Sequence, residues 1–192
     1  MIFLMGRMAS GKDVILNQMK KYGYKKMITY TTRPMRPGEI QDSTYHFIDE
    51  AAFEVMRTRN EFLEYKSYDT VFGKWFYGSA VEDYKNADDH TVVIITPSGY
   101  EDFLDRIPEK DHFAIYISAH NDTLKKRIML RGDNEDEAQR RMLQDDTDFK
   151  DIEKLADAIV YNDEPRSLRS AVTEVVFAAD KHIRDKEALH EE

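Results

Sequence analysis

Apolar positions along the chain fall into two kinds of pattern. Continuous apolar runs at residues 2–5, 91–96, 113–117 and 158–161 are short and flanked by polar punctuation, which predicts buried strands of a parallel sheet. Between them lie amphipathic stretches that predict helices: 12–21 with Val14, Ile15 and Met19 on the inner face, 79–86, 99–106, 122–131 around Leu124 and Ile128, 137–148 and 166–184. Met129 and Leu130 read as core. Residues 26–30 predict a second strand, 132–135 a polar flexible link, and 185–192 a charged, frayed tail. Strands alternating with helices predict an α/β fold with a parallel sheet. The stretch 31–78 breaks this pattern. It is rich in Thr, Tyr, Phe and charge, is punctuated by Pro34, Pro37, Gly38 and Gly73, and has one clear helix near 50–59, so a small mixed subdomain inserted into the core is expected.

Composition narrows this picture. A chain of 192 residues, 41% hydrophobic and 34% charged, fits one globular domain with small insertions. It has no cysteine, so disulfides and thiolate metal sites are excluded and a reducing, cytoplasmic home is expected. The six histidines are scattered without ligand spacing and read as surface or structural. The N-terminal apolar run is too short for a membrane span and lacks the basic flank of a signal peptide, so no membrane partner is expected. A net charge of -9 argues against a nucleic-acid polymer as partner. Arginines nevertheless concentrate at 33–36 and 127–141, which suits a small anionic ligand.

Directly after the first strand stands Gly6-Arg7-Met8-Ala9-Ser10-Gly11-Lys12-Asp13. Two glycines five positions apart let the backbone turn tightly with its N–H groups aimed inward, and the lysine that follows supplies a cation for outer phosphates. A strand before and a helix after complete the setting for phosphate at a helix N-terminus. Asp13 stands where such loops place a Ser or Thr hydroxyl on magnesium; an aspartate can hold Mg²⁺ directly or through water.

The second cluster is Thr31-Thr32-Arg33-Pro34-Met35-Arg36-Pro37-Gly38-Glu39, followed by Tyr45-His46-Phe47. Two arginines three apart on a proline-stiffened segment can converge on one phosphate. Here the chain resembles the guanylate kinases, whose pattern T-T-R-x-x-R-x-G-E then Y-x-F it matches closely. The similarity runs on through Asn60-Glu61-Phe62-Leu63-Glu64, Tyr77-Gly78-Ser79, Lys126-Arg127, Arg131-Gly132 and Arg140-Arg141-Met142 to Val160-Tyr161-Asn162-Asp163.

The resemblance implies a three-layer P-loop core (1–32 and 79–192), a mostly β acceptor-binding subdomain (33–78) and a helical lid at about 127–148. It implies transfer of the terminal phosphate of ATP to GMP or dGMP with Mg²⁺. Arg33, Arg36, Tyr45 and Tyr77 match positions that hold the GMP phosphate; Glu64 matches the carboxylate facing guanine N1 and N2, and Thr29 and Ser79 match hydroxyls near O6. Gly6 to Asp13 match the ATP loop, Asn162 a position near the donor adenine, and Asp13 a metal position. Lys12, Arg127, Arg131 and Arg141 match the cations that neutralise the transferring phosphoryl, with Arg140 competing for the last place. Besides Asp13, the chain departs from the pattern at Ile94 and Thr96, where these kinases carry an acidic pair. Two alternatives therefore stay open: a related kinase with another acceptor, such as another deoxynucleotide or ribose 1,5-bisphosphate, and a non-catalytic binding module of the same fold.

Overall fold

A computed structural model describes residues 1–107 and 111–190, with the side chain of His190 left aside. The protein divides into two compact units: Met1–Lys26, Asp88–Pro97 and Asp111–Glu192 make the first, Met27–Ala87 and Ser98–Lys110 the second.

The first unit is built on a five-stranded sheet. Its strands are β1 (Ile2–Met5), β2 (Lys25–Lys26), β7 (Thr91–Ile94), β8 (Phe113–Ser118) and β9 (Ala158–Tyr161), in the order β2-β7-β1-β8-β9. Every pairing in it is parallel, so the fold is α/β as the alternation predicts. Strands covered on both faces need apolar residues throughout, and β1 is buried at all four positions. Ile2 and Leu4 pack with Ile15, Leu16 and Met19 of helix α1 (Lys12–Met19) and with Val172, Val175 and Ala179 of helix α7 (Leu168–His190) in one apolar cluster.

The second unit holds a four-stranded sheet in the order β4-β3-β6-β5, formed by β3 (Tyr30–Thr31), β4 (His46–Phe47), β5 (Phe62–Thr70) and β6 (Gly73–Ala80). Helix α2 (Glu50–Thr58) starts where the Asp49 carboxylate accepts the N–H of Ala52, as an N-cap should. It buries Phe53, whose ring stacks on Phe62 at 4.4 Å and lies 5.3 Å from Phe76. An aromatic cluster thus gives this small sheet its core.

Several sequence expectations are corrected. Residues 26–30 are not one strand: Lys25–Lys26 pair with β7 and Tyr30–Thr31 pair with β4 and β6, in separate sheets. Ser79 and Ala80 end β6, held across from Glu64 and Phe62, and the short helix α3 begins only at Val81 and runs to Lys85. Val14 is half exposed, and Leu16 takes its place on the buried face of α1. Met129 and Leu130 are exposed, at 80% and 79%. In helix α5 (Asn121–Arg131) the buried face is fixed by Leu124 and Ile128, four apart; positions one and two further on turn about 100° and 200° away from it. Helix α6 runs Glu135–Asp148 and starts two residues earlier than expected, because Asn134 Oδ1 accepts the N–H of Glu137. The expected frayed tail is helical through residue 190, tied by Lys186 Nζ to Asp89 at 2.7 Å and Asp111 at 3.2 Å; residues 191–192 lie outside the described residues. No described helix is long and apolar enough to cross a membrane.

Candidate functional site

In the first unit, Gly6 to Lys12 form the turn from β1 into α1. The glycines are required by space and conformation. A Cβ on Gly6 would lie 2.6 Å from Ser10 Oγ and 2.8 Å from the Ile117 carbonyl. Gly11 has φ +101°, and a Cβ there would lie 2.5 Å from Asn162 Nδ2. Lys12 folds back over the loop, its Nζ donating to the Gly6 carbonyl at 2.5 Å and the Arg7 carbonyl at 3.0 Å. Burial lowers its pKa, and the carboxylates of Asp13 and Asp145 oppose that shift; Arg141 and Arg131 act on the same ammonium and lower it. Ser10 Oγ is buried and has no hydrogen-bond partner among the described residues.

Arg127 and Asn162 brace this loop. Arg127 Nη1 donates to the Ala9 and Ser10 carbonyls at 3.2 and 3.3 Å, and its Nη2 to the Asn162 carbonyl at 2.7 Å. Asn162 Nδ2 donates to the Ser10 carbonyl at 2.8 Å. Arg131 is paired with Asp133. Arg141 Nε donates to Glu137 Oε1 at 2.9 Å, and Arg140 Nε to Glu137 Oε2 at 3.0 Å. Arg7 and Met8 carry contacts to the end of α6: Arg7 Nη2 to Asp146 Oδ1 at 2.5 Å, and Met8 N–H to Asp145 Oδ2 at 2.6 Å. Asp13 sits in the first turn of α1, mostly exposed, with Lys26 Nζ 4.0 Å away.

In the second unit, Arg33 is 4% exposed. Its Nη2 donates to Glu39 Oε1 at 2.7 Å and its Nη1 to the Pro34 carbonyl at 2.7 Å, while the guanidinium lies 5.6 Å from the ring centres of Tyr45 and Phe47. Burial works against its charge, yet the Glu39 bond and the neighbouring tyrosines carry its pKa upward. The other Glu39 oxygen accepts the backbone N–H of Arg36 at 2.7 Å, so one carboxylate shapes the turn that holds both arginines. Tyr77 lies edge-on to Tyr45 at 6.1 Å.

The base-facing candidates form a row across the same sheet. Glu64 pairs with Ser79, and Tyr30 pairs with Gly78, so the antiparallel register extended by one residue sets Thr29 across from Ser79. The row exists because of a bulge. Phe62 pairs with Ala80, so an unbroken ladder would place Glu64 opposite Gly78; the register shift between Phe62 and Glu64 moves it to Ser79 instead. All three residues are buried, with Ser79 Oγ donating to Glu64 Oε1 at 2.5 Å. Burial pushes the Glu64 carboxyl up to about 7, against the pull of the Ser79 bond.

Three residues that shape these sites carry no role in the sequence reading: Glu39, Glu137 and Asp145. Glu137 had a signal, since arginines three and four residues on lie on its face of the helix. Asp145 had none, because an Asp-Asp pair in a polar helix reads as a solvated face. The described residues contain no group of three or more carboxylate or imidazole ligands for a metal.

A parallel α/β sheet whose first strand feeds a glycine–lysine turn, braced by Arg127 from α5, has the form of a P-loop kinase core. The sequence profile of the guanylate kinase family matches residues 1–179, and the chain belongs to that family. A guanylate kinase of Vibrio vulnificus (strain YJ016) is 27% identical over 187 residues, covering 93% of this chain and 87% of its own. One from Alkalilimnicola ehrlichii is 26% identical over 185 residues with the same coverage. The crystal structure of guanylate kinase from Anaplasma phagocytophilum shares the fold, with a TM-score of 0.66 at 21% identity over 94% of this chain and 84% of that one. The protein is an ATP-dependent nucleoside monophosphate kinase.

Proposed function

We propose that the protein transfers the terminal phosphate of ATP to GMP or dGMP, giving ADP and GDP or dGDP, in the cytoplasm. The observation that carries this reading is the buried row of Glu64, Ser79 and Thr29. A carboxylate and two hydroxyls in line match the edge of a guanine, which offers donors at N1 and N2 and an acceptor at O6. An adenine edge would leave the carboxylate desolvated without a donor, and sites built this way discriminate by about 10⁴ or more.

Residues 33–78 serve as the acceptor-binding subdomain, with Arg33, Arg36, Tyr45 and Tyr77 on the acceptor phosphate. Gly6 to Asp13 hold the donor, and Asn162 keeps the loop in shape. Phosphoryl transfer needs little covalent help; it needs two phosphates in line and their charge neutralised. Lys12 and Arg127 stand at the loop, and Arg131 and Arg141, on the proposed lid at about 127–148, bring two more cations. Each arginine now bonds a protein acceptor, so an incoming phosphate has only to exchange one oxygen partner for another.

The donor set for magnesium is one exposed carboxylate, Asp13. That fits Mg²⁺, which keeps several waters and binds through one or two carboxylates plus substrate phosphates. When bound it would supply charge neutralisation for the transferring phosphate. Asp13 would hold it, and Lys26, with its Nζ 4.0 Å from that carboxylate, would temper the added negative charge.

One observation favours a second reading. The aspartate after Lys12 suits a related kinase with another acceptor, such as ribose 1,5-bisphosphate, which has no base for the Glu64 row to meet. Calorimetric titration with GMP, AMP and ribose 1,5-bisphosphate separates the two. GMP binding that falls at least about 100-fold in Glu64→Gln supports the guanine reading; ribose bisphosphate binding unaffected by that change, with weak GMP binding, overturns it.

A further inference from the structure

The phosphate loop already holds an anion, supplied by the chain itself. Met8 N–H donates to Asp145 Oδ2 at 2.6 Å, and the next residue, Asp146, takes Arg7 Nη2 at 2.5 Å. Arg7 Nη1 is held in turn by Asn121 Oδ1 at 2.7 Å. Asp145 also acts electrostatically on the Lys12 ammonium. Loop N–H groups and a loop lysine are the receiving groups for phosphate oxygens. A carboxylate oxygen on Met8 N–H offers the same acceptor chemistry as one phosphate oxygen.

This contact is not a simple stabilising tie. Burial is the largest influence on the Asp145 carboxyl and raises its pKa despite Met8, Lys12 and Arg7, while Asp148 adds to the rise. A carboxylate held at a cost beside the loop suits a functional role better than a structural one.

We infer that Asp145 sets the affinity of the donor site: in the ligand-free protein its carboxylate occupies an anion position of the loop that an incoming polyphosphate takes over. The inference rests on Gly6 to Asp13 being the donor-phosphate loop. Donor binding is then a competition between an internal carboxylate and an external polyanion. A triphosphate brings enough charge and enough oxygens to displace it, whereas a single phosphate competes poorly. Loss of the Met8 contact removes one tie between the loop and the end of α6, the helix that carries Arg141, while Arg7 still bonds Asp146 there.

The test is isothermal titration with inorganic tripolyphosphate at fixed ionic strength. It compares the parent protein with Asp145→Asn, Asp145→Ala, Lys12→Ala and Asp185→Asn, the last removing one exposed charge on α7. Asp145→Asn keeps the side-chain shape and Asp145→Ala favours the helix, so two folded variants are available, checked by thermal melting. The expected result is binding at least about tenfold tighter in both Asp145 variants, with Asp185→Asn within about twofold of the parent. Asp145 variants that match Asp185→Asn, or bind more weakly than the parent, overturn the inference while Lys12-dependent binding leaves the donor-loop reading intact. No binding in parent, Asp145 variants and Lys12→Ala alike overturns both.

Discussion

Ser79 Oγ donates a 2.5 Å hydrogen bond to Glu64 Oε1 across neighbouring strands, in a site where burial has carried the Glu64 carboxyl up to about 7. The carboxyl is therefore poised between its two protonation states at neutral pH. Guanine needs the ionised form, since its N1 and N2 groups are donors. Binding of GMP should therefore release a proton from Glu64, and affinity should fall as pH drops below about 7, approaching tenfold per pH unit. The GMP phosphate titrates near pH 6 as well, so the difference between wild type and Glu64→Gln isolates the Glu64 contribution. Calorimetry in buffers of different ionisation enthalpy measures the proton directly.

The same shift has a stability consequence. Between the unfolded value of 4.5 and the folded value of about 7, the folded state binds more protons than the unfolded state. Stability from this group is thus fully present below about pH 4.5 and is lost as pH rises through 7. The ionised carboxylate costs on the order of 3 kcal/mol above that range. Glu64→Gln, which retains an acceptor for Ser79, should stabilise the protein by about 1–3 kcal/mol at pH 8 and change little at pH 5, as read by urea unfolding at both values.

Much of this architecture is legible in the sequence. The apolar runs of β1, β7, β8 and β9 announce a parallel sheet because strands covered on both faces cannot alternate, and the glycine spacing before Lys12 announces the loop. What escapes is set by longer-range partners. The bulge that aligns Glu64 with Ser79 depends on the pairing of β5 with β6, not on local pattern. Met129 and Leu130 look like core by composition, yet the face chosen by Leu124 and Ile128 turns them outward. Asp145 gains its meaning from the loop at the other end of the chain, where Met8, 137 positions away, donates to it and Lys12 faces it.

Glu39 is the hub of the turn at residues 33–39, bonding the Arg33 guanidinium and the Arg36 N–H. Glu39→Gln removes the charge opposite an arginine that is almost fully buried. It should destabilise the protein by about 2–4 kcal/mol and raise the KM for GMP while leaving that for ATP nearly unchanged. Thermal melting and steady-state kinetics with each substrate varied check both parts.

Gly11 tests the loop. Gly11→Ala forces a Cβ into a φ of +101° and against Asn162 Nδ2, so the bond from Asn162 to the Ser10 carbonyl must break. A stability loss of about 1–2 kcal/mol is expected, together with loss of ATP binding. GMP binding, measured by titration, should persist.

The central claim is tested most directly by turnover. Purified protein with ATP and Mg²⁺ is assayed for ADP release over a panel of GMP, dGMP, AMP, CMP, UMP and ribose 1,5-bisphosphate, with Lys12→Ala as the control. Turnover with GMP or dGMP that exceeds every other acceptor by at least about 100-fold and disappears in Lys12→Ala is the predicted result. GMP that binds without any acceptor being phosphorylated, or ribose 1,5-bisphosphate turning over in preference to GMP, would contradict it.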